Sequence, residues 1–323
     1  MSKRLADLTV EEKRDLLAKA LRKKAQEAAR VPLSYQQQGL WFLDQLESGN
    51  PLSNLVWAMR ISGRIDMDGV QQALNEIVRR HEPLRTIFRF EGGEPVQVVS
   101  LPLPLPVKII DLSELAPDEQ EKEIQRLVRE EARTPFDLAT GPLLRVTLLR
   151  CGPEEHVASV TIHHIIADGW STGVFARELW ALYNAFSKGQ PSPLPEPPIQ
   201  YRDYVRWQRE RLQGDRLDRL LTYWKSHLQN APHLLHVRTD RPRPPVMTYN
   251  GATVSFLLPK ALSESLKELS RKEGVTLFRL LLAAFSVLLH RHVDQDEMLI
   301  GTPISGRERP ETQGLIGFFV NTL

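Results

Sequence analysis

The run His163-His164-Ile165-Ile166-Ala167-Asp168-Gly169 brings two imidazoles and a carboxylate together at the end of an apolar stretch, Val157-Ala158-Ser159-Val160-Thr161-Ile162. That stretch reads as a buried strand. Successive strand side chains point to opposite faces, so the two histidines cannot do the same job. One faces the interior and the other a cleft. Asp168-Gly169 then makes a turn, and Ser171 or Thr172 can cap the helix that follows. Polar groups at a strand end, ahead of a glycine turn and a helix N-terminus, are well placed for ligand contact in α/β proteins.

Four chemistries compete for this cluster. A single histidine on an apolar strand is ordinarily a hydrogen-bonded core residue, but two adjacent ones followed by Asp-Gly weaken that reading. A metal site lacks a third ligand nearby, and adjacent strand histidines diverge. A serine hydrolase lacks the glycine pattern of a nucleophile elbow around any serine. A histidine acting as general base or hydrogen-bonding group in acyl transfer accounts best for the run.

The elements that must position the cluster alternate between helix and strand, which predicts an α/β fold. Helical periodicity marks residues 37–46, 117–133, 171–186 and 201–212, a further segment at Tyr223 and Trp224, and then 263–273 and 276–292. Asp68 is expected to cap another helix, carrying Val70, Leu74, Ile77 and Val78. Strands are expected at 56–61, 84–90, 95–99, 143–149, 157–164, 253–258 and 297–301, the second and third forming a hairpin through Glu91-Gly92-Gly93. Pro191, Pro193, Pro195, Pro197 and Pro198 predict a stiff linker between two lobes. Ahead of everything, Thr9, Glu12, Leu16, Leu17 and Leu21 suggest a capped leader helix, either packed on the body or used for docking.

Composition narrows the class. A net charge of +2 gives no footprint for nucleic acid. Cys151 is the only cysteine, so neither an internal disulfide nor a cysteine-based zinc site is available. No signal peptide opens the chain, and the longest apolar run, near Leu280, is about half of the roughly 20 residues that span a bilayer. A cytoplasmic location without membrane contact is expected.

Residues 32–323 resemble a condensation domain of a nonribosomal peptide synthetase, a relative of chloramphenicol acetyltransferase. The cluster and its continuation, His163 to Ser171, match the motif HHxxxDGWS. Arg80-His81-Glu82-Pro83-Leu84-Arg85-Thr86-Ile87-Phe88 matches RHExLRTxF, and Ile316-Gly317-Phe318-Phe319-Val320-Asn321-Thr322-Leu323 matches IGxFVNTL. Tyr201-Arg202-Asp203-Tyr204-Val205-Arg206-Trp207-Gln208-Arg209 is similar to YxDFAVWQR, with Arg206 in place of an apolar residue. Ser34-Tyr35-Gln36-Gln37-Gln38-Gly39-Leu40-Trp41 meets SxAQxRLW imperfectly, with Gln36 for alanine and Gly39 for arginine.

The resemblance implies two acetyltransferase-like lobes arranged as a V-shaped pseudo-dimer. Residues 1–31 would be the leader, 32–190 the first lobe, 191–252 linker and connecting helices, and 253–323 a C-terminally truncated second lobe. It implies amide-bond formation, the amine of a carrier-bound acceptor attacking a carrier-bound donor thioester. His164 would place and hydrogen-bond that amine, with general base as the rival role. His163 and Asp168 would be structural, Asp168 in a buried ion pair. Arg307 is the candidate partner, unless it is an exposed loop arginine.

Gly169 would let the backbone approach a pantetheine arm. Trp170 and Ser171 would shape its tunnel, Asn321 would order the bridging loop, and Arg85 with Glu82 would support the scaffold. The implied domain has no metal and no cofactor of its own. Its substrates arrive on the 4′-phosphopantetheine arms of an upstream donor and a downstream acceptor carrier protein, with an adenylation domain downstream. The alternatives are an epimerization domain, a free-standing acyltransferase, and a noncatalytic carrier-docking fragment.

Overall fold

The computed structural model describes residues 30–323 except 48, 233, 250 and 294. The expected leader helix lies outside the described residues. The chain divides into two compact units, one reaching to Gln213 and including Pro303–Leu323, the other Gly214–Thr302.

The first unit is built on a four-stranded sheet of β2 (Asn54–Ser62), β7 (Glu155–His163), β6 (Leu144–Arg150) and β5 (Val107–Asp111), in that order. Neighbours are antiparallel except β5 and β6. The register aligns Leu55, Ile162 and Leu144 across three strands, and likewise Trp57, Val160 and Val146. This apolar row packs against α2 (Met67–Arg80) and α4 (Gly169–Phe186) in one core with Leu74, Ile77, Val174 and Phe175. On the other face Leu149 and Val157 pack with Ile124 of α3 (Pro117–Arg133).

Two of the helices that frame the site start where a polar side chain satisfies free N–H groups. In α1 (Tyr35–Leu46) Ser34 and Gln37 form a capping box. The cap of α2 is Asp66 rather than the expected Asp68, which sits in the first turn and favours the helix dipole. A second sheet, β1 (Arg30–Pro32), β4 (Glu94–Val99) and β3 (Thr86–Glu91), carries the expected hairpin. β3 starts late because Glu82–Arg85 forms a 3-10 turn.

The proline-rich stretch after α4 does not act as a spacer between units. It leads into α5 (Tyr201–Arg211), whose Tyr201, Tyr204 and Val205 belong to a core cluster with Leu315 and Phe319 of the same unit. Leu194 packs on the main core and its carbonyl accepts from Arg80 Nη1 at 3.5 Å. Residues 303–323 likewise join the first unit, through β8 (Pro303–Ile304), β9 (Asn321–Thr322) and the segment between them. The division at 190 and 253 expected from composition is therefore displaced, because buried aromatics outweigh the proline signal.

The second unit holds α6 (Gly214–His227), α7 (Lys260–Lys272) and α8 (Leu277–Val293). The expected strands at 253–258 and 297–301 form neither strand nor helix among the described residues. Val254, Phe256 and Leu257 stand 86%, 79% and 95% exposed, so their alternation has no neighbouring strand to bond. No single helix among the described residues is long and apolar enough to cross a membrane; α7 and α8 pass that test only together and are bent by 104° at their break.

Candidate active site

β7 ends at His163, and the next residues, His164–Ile166, tighten into a 3-10 turn. This change of backbone separates the two histidines. His163 is 3% exposed, caps the turn by accepting from Ile165 N–H at Nδ1 (3.1 Å), and meets the Phe136 ring edge-on at 6.1 Å. Burial, helped by the neighbouring His164, holds its pKa down at about 4. It is a neutral structural imidazole.

His164 is only half-buried. Its Nδ1 lies 2.8 Å from the carbonyl of Ala167. A carbonyl can only accept, so Nδ1 carries the hydrogen, and in the neutral ring the lone pair is on Nε2. The ring of Phe318 stands against the imidazole, with centroids 4.9 Å apart and planes inclined at 70°.

Asp168 is the N-cap of α4, a role expected of Ser171 or Thr172. Its Oδ1 accepts from Ser171 N–H (2.9 Å), and its Oδ2 from Phe319 N–H (3.1 Å). Arg307 Nη2 donates to Oδ1 at 2.9 Å, forming an ion pair whose two side chains are 0% and 3% exposed. Arg307 also donates through Nη1 to the carbonyls of Thr312 (2.5 Å) and Leu315 (2.7 Å), and stacks on Phe319 at 4.0 Å. Burial pulls the guanidinium below its ordinary pKa, and Asp168 pulls it back up. The hydroxyl of Ser171 donates to Asp168 Oδ1 at 2.7 Å or to Gly317 O at 2.9 Å, while accepting from Arg307 Nη2 and Gly317 N–H.

The segment 315–319 belongs to no strand. Side chains hold it instead. Ile316 N–H donates to His81 Nδ1 (3.3 Å), and Tyr201 Oη donates to Phe318 O (2.7 Å). The other face of His81 donates through Nε2 to Glu178, 3.0 Å away. Burial would raise the Glu178 pKa, but hydrogen bonds from His81 and Arg80 prevail and bring it to about 2. A Cβ on Gly317 would come within 2.3 Å of the Tyr201 ring, and one on Gly306 (φ +65°) within 2.2 Å of Phe319 O. Both positions require glycine.

A scan of known families matches the condensation domain over residues 27–323. The chain belongs to the condensation domain family. Over 293 residues it is 47% identical to one of the linear gramicidin synthase proteins of Brevibacillus parabrevis, an alignment covering 91% of this chain and 6% of that protein. Among solved structures, the X-domain from teicoplanin biosynthesis superposes with a TM-score of 0.80 at 29% identity, over 91% of this chain and 64% of that one. A four-domain nonribosomal peptide synthetase bound to AMP and glycine gives 0.79 at 26% identity, over 91% and 22%. The fold is thus the mixed α/β architecture of solved condensation domains, and the chain spans only a small part of the gramicidin synthase protein it matches.

Within this condensation domain the expected site residues divide. Asp168, Ser171 and Arg307 form one hydrogen-bonded cluster, and His163 and His164 sit on the adjoining turn, held through Ile165 N–H and Ala167 O. Gly169 lies at the first turn of α4, where an added Cβ would meet nothing within 4 Å beyond its chain neighbours and the backbone of its own helix. Trp170 is 47% exposed and donates to Gln313 O at 2.9 Å. Asn321 is exposed and pairs with Ile304 in the β8–β9 ladder. Arg85 pairs with Glu82 (3.8 Å) and donates to Ser100 O; none of its described hydrogen bonds reaches the His164 cluster. Of the departures from the family motifs, Gly39 and Arg206 are exposed, while Gln36 is half-buried and accepts from Gln208 Nε2 at 2.8 Å.

Sequence reasoning missed Gln37, which donates through Nε2 to Ile165 O (3.0 Å) inside the turn that carries His164. Its capping-box spacing from Ser34 was the available signal. It also missed His81, Glu178 and Phe318 as members of the site's support. Their pairing across the fold leaves no local pattern.

Proposed function

We propose that this condensation domain forms amide bonds by acyl transfer. The amine of an acceptor attacks the carbonyl of a donor thioester, both carried on 4′-phosphopantetheine arms of carrier proteins. The C–N bond forms first. Collapse of the tetrahedral intermediate breaks the C–S bond, and the departing sulfur takes up the proton lost by nitrogen.

The observation that carries this reading is the Nδ1–H bond from His164 to Ala167 O, which leaves Nε2 as a fixed acceptor. An α-amino group has a pKa of about 7.7–8, so a good fraction is already neutral near pH 7. Nε2 therefore need only accept one N–H hydrogen, align the nitrogen lone pair with the carbonyl, and relay the proton. Holding reactants in line is itself worth several kcal/mol, up to about 7–11 in well-oriented systems. Asp168 and Arg307 fix the loop from which His164 projects and contact no reacting atom in this role.

Gly169, with open space beside it, is the point where a pantetheine arm passes closest to the backbone, flanked by Trp170 and Ser171. The open face supports this reading, because no packing within the chain demands glycine there. The donor and acceptor carriers, a downstream adenylation domain and a cytoplasmic setting follow from the same proposal. The synthetase relatives and the four-domain solved structure support it.

The test is amide formation from loaded donor and acceptor carriers, in the complete polypeptide that contains this chain. His164→Ala is expected to lose amide formation by at least ~100-fold, in the range for removal of a positioned acid–base group, while carrier binding persists. Product formation equal to wild type would sink the assignment. Inversion at Cα of a single loaded carrier without an acceptor would instead identify an epimerization domain.

A further inference from the structure

We infer that Phe318 is a positioning residue for His164, an inference that rests on the acyl-transfer reading above. Phe318 occupies the variable place in the motif IGxFVNTL, so the motif assigns it no role. The structure puts its ring against the imidazole at 4.9 Å and 70°, with Phe318 8% exposed and His164 half-buried. Apart from Phe318, the ring of His164 has one described polar anchor, the Nδ1–H bond to Ala167 O. One hydrogen bond leaves the imidazole free to tilt about that anchor, and a steeply inclined aromatic ring in contact with it restricts that freedom. Small displacements matter at such a site, since a misplacement of about 1 Å can cost ~100-fold in rate.

Phe318 is itself locked, which a buttress requires. Its carbonyl accepts from Tyr201 Oη at 2.7 Å. The next residue, Phe319, donates from its N–H to Asp168 Oδ2, and the one before, Gly317, donates to Ser171 Oγ. The ring is therefore referenced to the same Asp168–Arg307–Ser171 cluster that fixes the backbone below His164. Both sides of the imidazole share one frame.

The experiment uses the complete synthetase polypeptide with loaded carriers and compares Phe318→Ala, Phe318→Leu and Phe318→Tyr. Phe318→Ala is expected to lower kcat by ~10- to 100-fold, with KM for the acceptor carrier changed less than about threefold. Phe318→Tyr, keeping the flat ring, restores most of the rate, and Phe318→Leu falls between. Imidazole ¹⁵N resonances give a readout independent of turnover. His164 should be the Nδ1–H tautomer in wild type and Phe318→Tyr, and should average between tautomers in Phe318→Ala. If Phe318→Ala does not fold, Phe318→Leu carries both measurements. Wild-type kcat with unchanged His164 resonances overturns the inference, as does a rise in KM alone, which would make residue 318 a binding wall. A wild type that forms no amide while its His164 resonances respond to residue 318 refutes the functional reading and leaves the buttress standing.

Discussion

Arg307 and Asp168 stand 139 positions apart in the chain and meet at 2.9 Å with both side chains out of water. The pair ties the start of α4 to the segment 312–319, because the same guanidinium serves Thr312 O and Leu315 O. A buried pair of this kind gives little net stability over an apolar replacement, yet removing one partner strands the other charge. Its contribution here is geometric: it fixes the loop below His164.

Arg307→Ala and Asp168→Ala are each expected to destabilise the protein by about 3–5 kcal/mol. The double variant Asp168→Ala/Arg307→Ala should cost clearly less than the two single changes summed. Urea unfolding of the four proteins measures this coupling. Additive losses would mean that the two groups do not act as a pair.

Acid should weaken the fold through His163. Its folded pKa, about 4, lies below the 6.5 of an unperturbed imidazole. Between those values the unfolded chain binds more protons than the folded one, so stability rises with pH across that window. The contribution is complete above about pH 6.5 and is lost as pH falls towards 4. A shift of that size corresponds to about 3 kcal/mol. Glu178 adds a separate, lower window, lost as pH falls from 4.5 towards 2. In His163→Asn, whose Oδ1 can still accept from Ile165 N–H, the slope of stability between pH 6.5 and 4 should flatten while the lower window remains. An unchanged slope would place the titration elsewhere.

Local chemistry made the first unit largely legible. Apolar runs located β2, β6 and β7, alternation and the turn Glu91-Gly92-Gly93 located the hairpin, and 3.6-residue periodicity located α2, α3 and α4. β5 was missed because its Val-Lys-Ile-Ile run is short and follows a proline-rich stretch. The strands expected at 253–258 and 297–301 failed for a different reason: alternation reports a half-buried face, and pairing needs a neighbour that sequence periodicity cannot supply. At the site, the motif residues that share one loop were readable. The supports that arrive from distant positions, His81 on Ile316, Tyr201 on Phe318 and Gln37 on Ile165, were not, since a hydrogen bond across more than a hundred residues leaves no spacing to detect.

The glycines separate packing from access. Gly317→Ala drives a methyl into the Tyr201 and Phe319 rings, and Gly306→Ala meets the Phe319 carbonyl at a positive φ. Each is expected to cost about 1–3 kcal/mol or more, as overpacking does. Gly169→Ala meets nothing and should leave the unfolding midpoint within about 0.5 kcal/mol of wild type, as for a surface change. If a pantetheine arm passes there, Gly169→Leu should nonetheless lower amide formation by ~10-fold or more, of the order that loss of correct substrate placement produces. Equal activity in Gly169→Leu would remove Gly169 from the site.

Gln37 reaches the turn that carries His164 from outside it. Its Nε2 donates to Ile165 O at 3.0 Å and to Gln97 Oε1 at 3.2 Å, while its Oε1 accepts from Ser34 N–H at 3.0 Å. Both amide hydrogens and the amide oxygen are engaged with the side chain out of water. Gln37→Leu leaves the Ile165 carbonyl and the Ser34 N–H buried without partners, at about 1–3 kcal/mol for each group. Gln37→Glu keeps the acceptor for Ser34 but turns the donor into a second acceptor, facing both Ile165 O and Gln97 Oε1. Two acceptors cannot share a hydrogen unless the carboxyl is protonated, which raises its pKa in the folded state, so the Glu variant should gain stability relative to Leu as pH falls from 7 towards the ordinary glutamate value of about 4.3, and the Leu variant should show no such gain. Unfolding midpoints measured from pH 7 to 4 check this. A Glu variant that tracks Leu at every pH would mean that the contact to Ile165 O contributes nothing to the turn on which His164 stands.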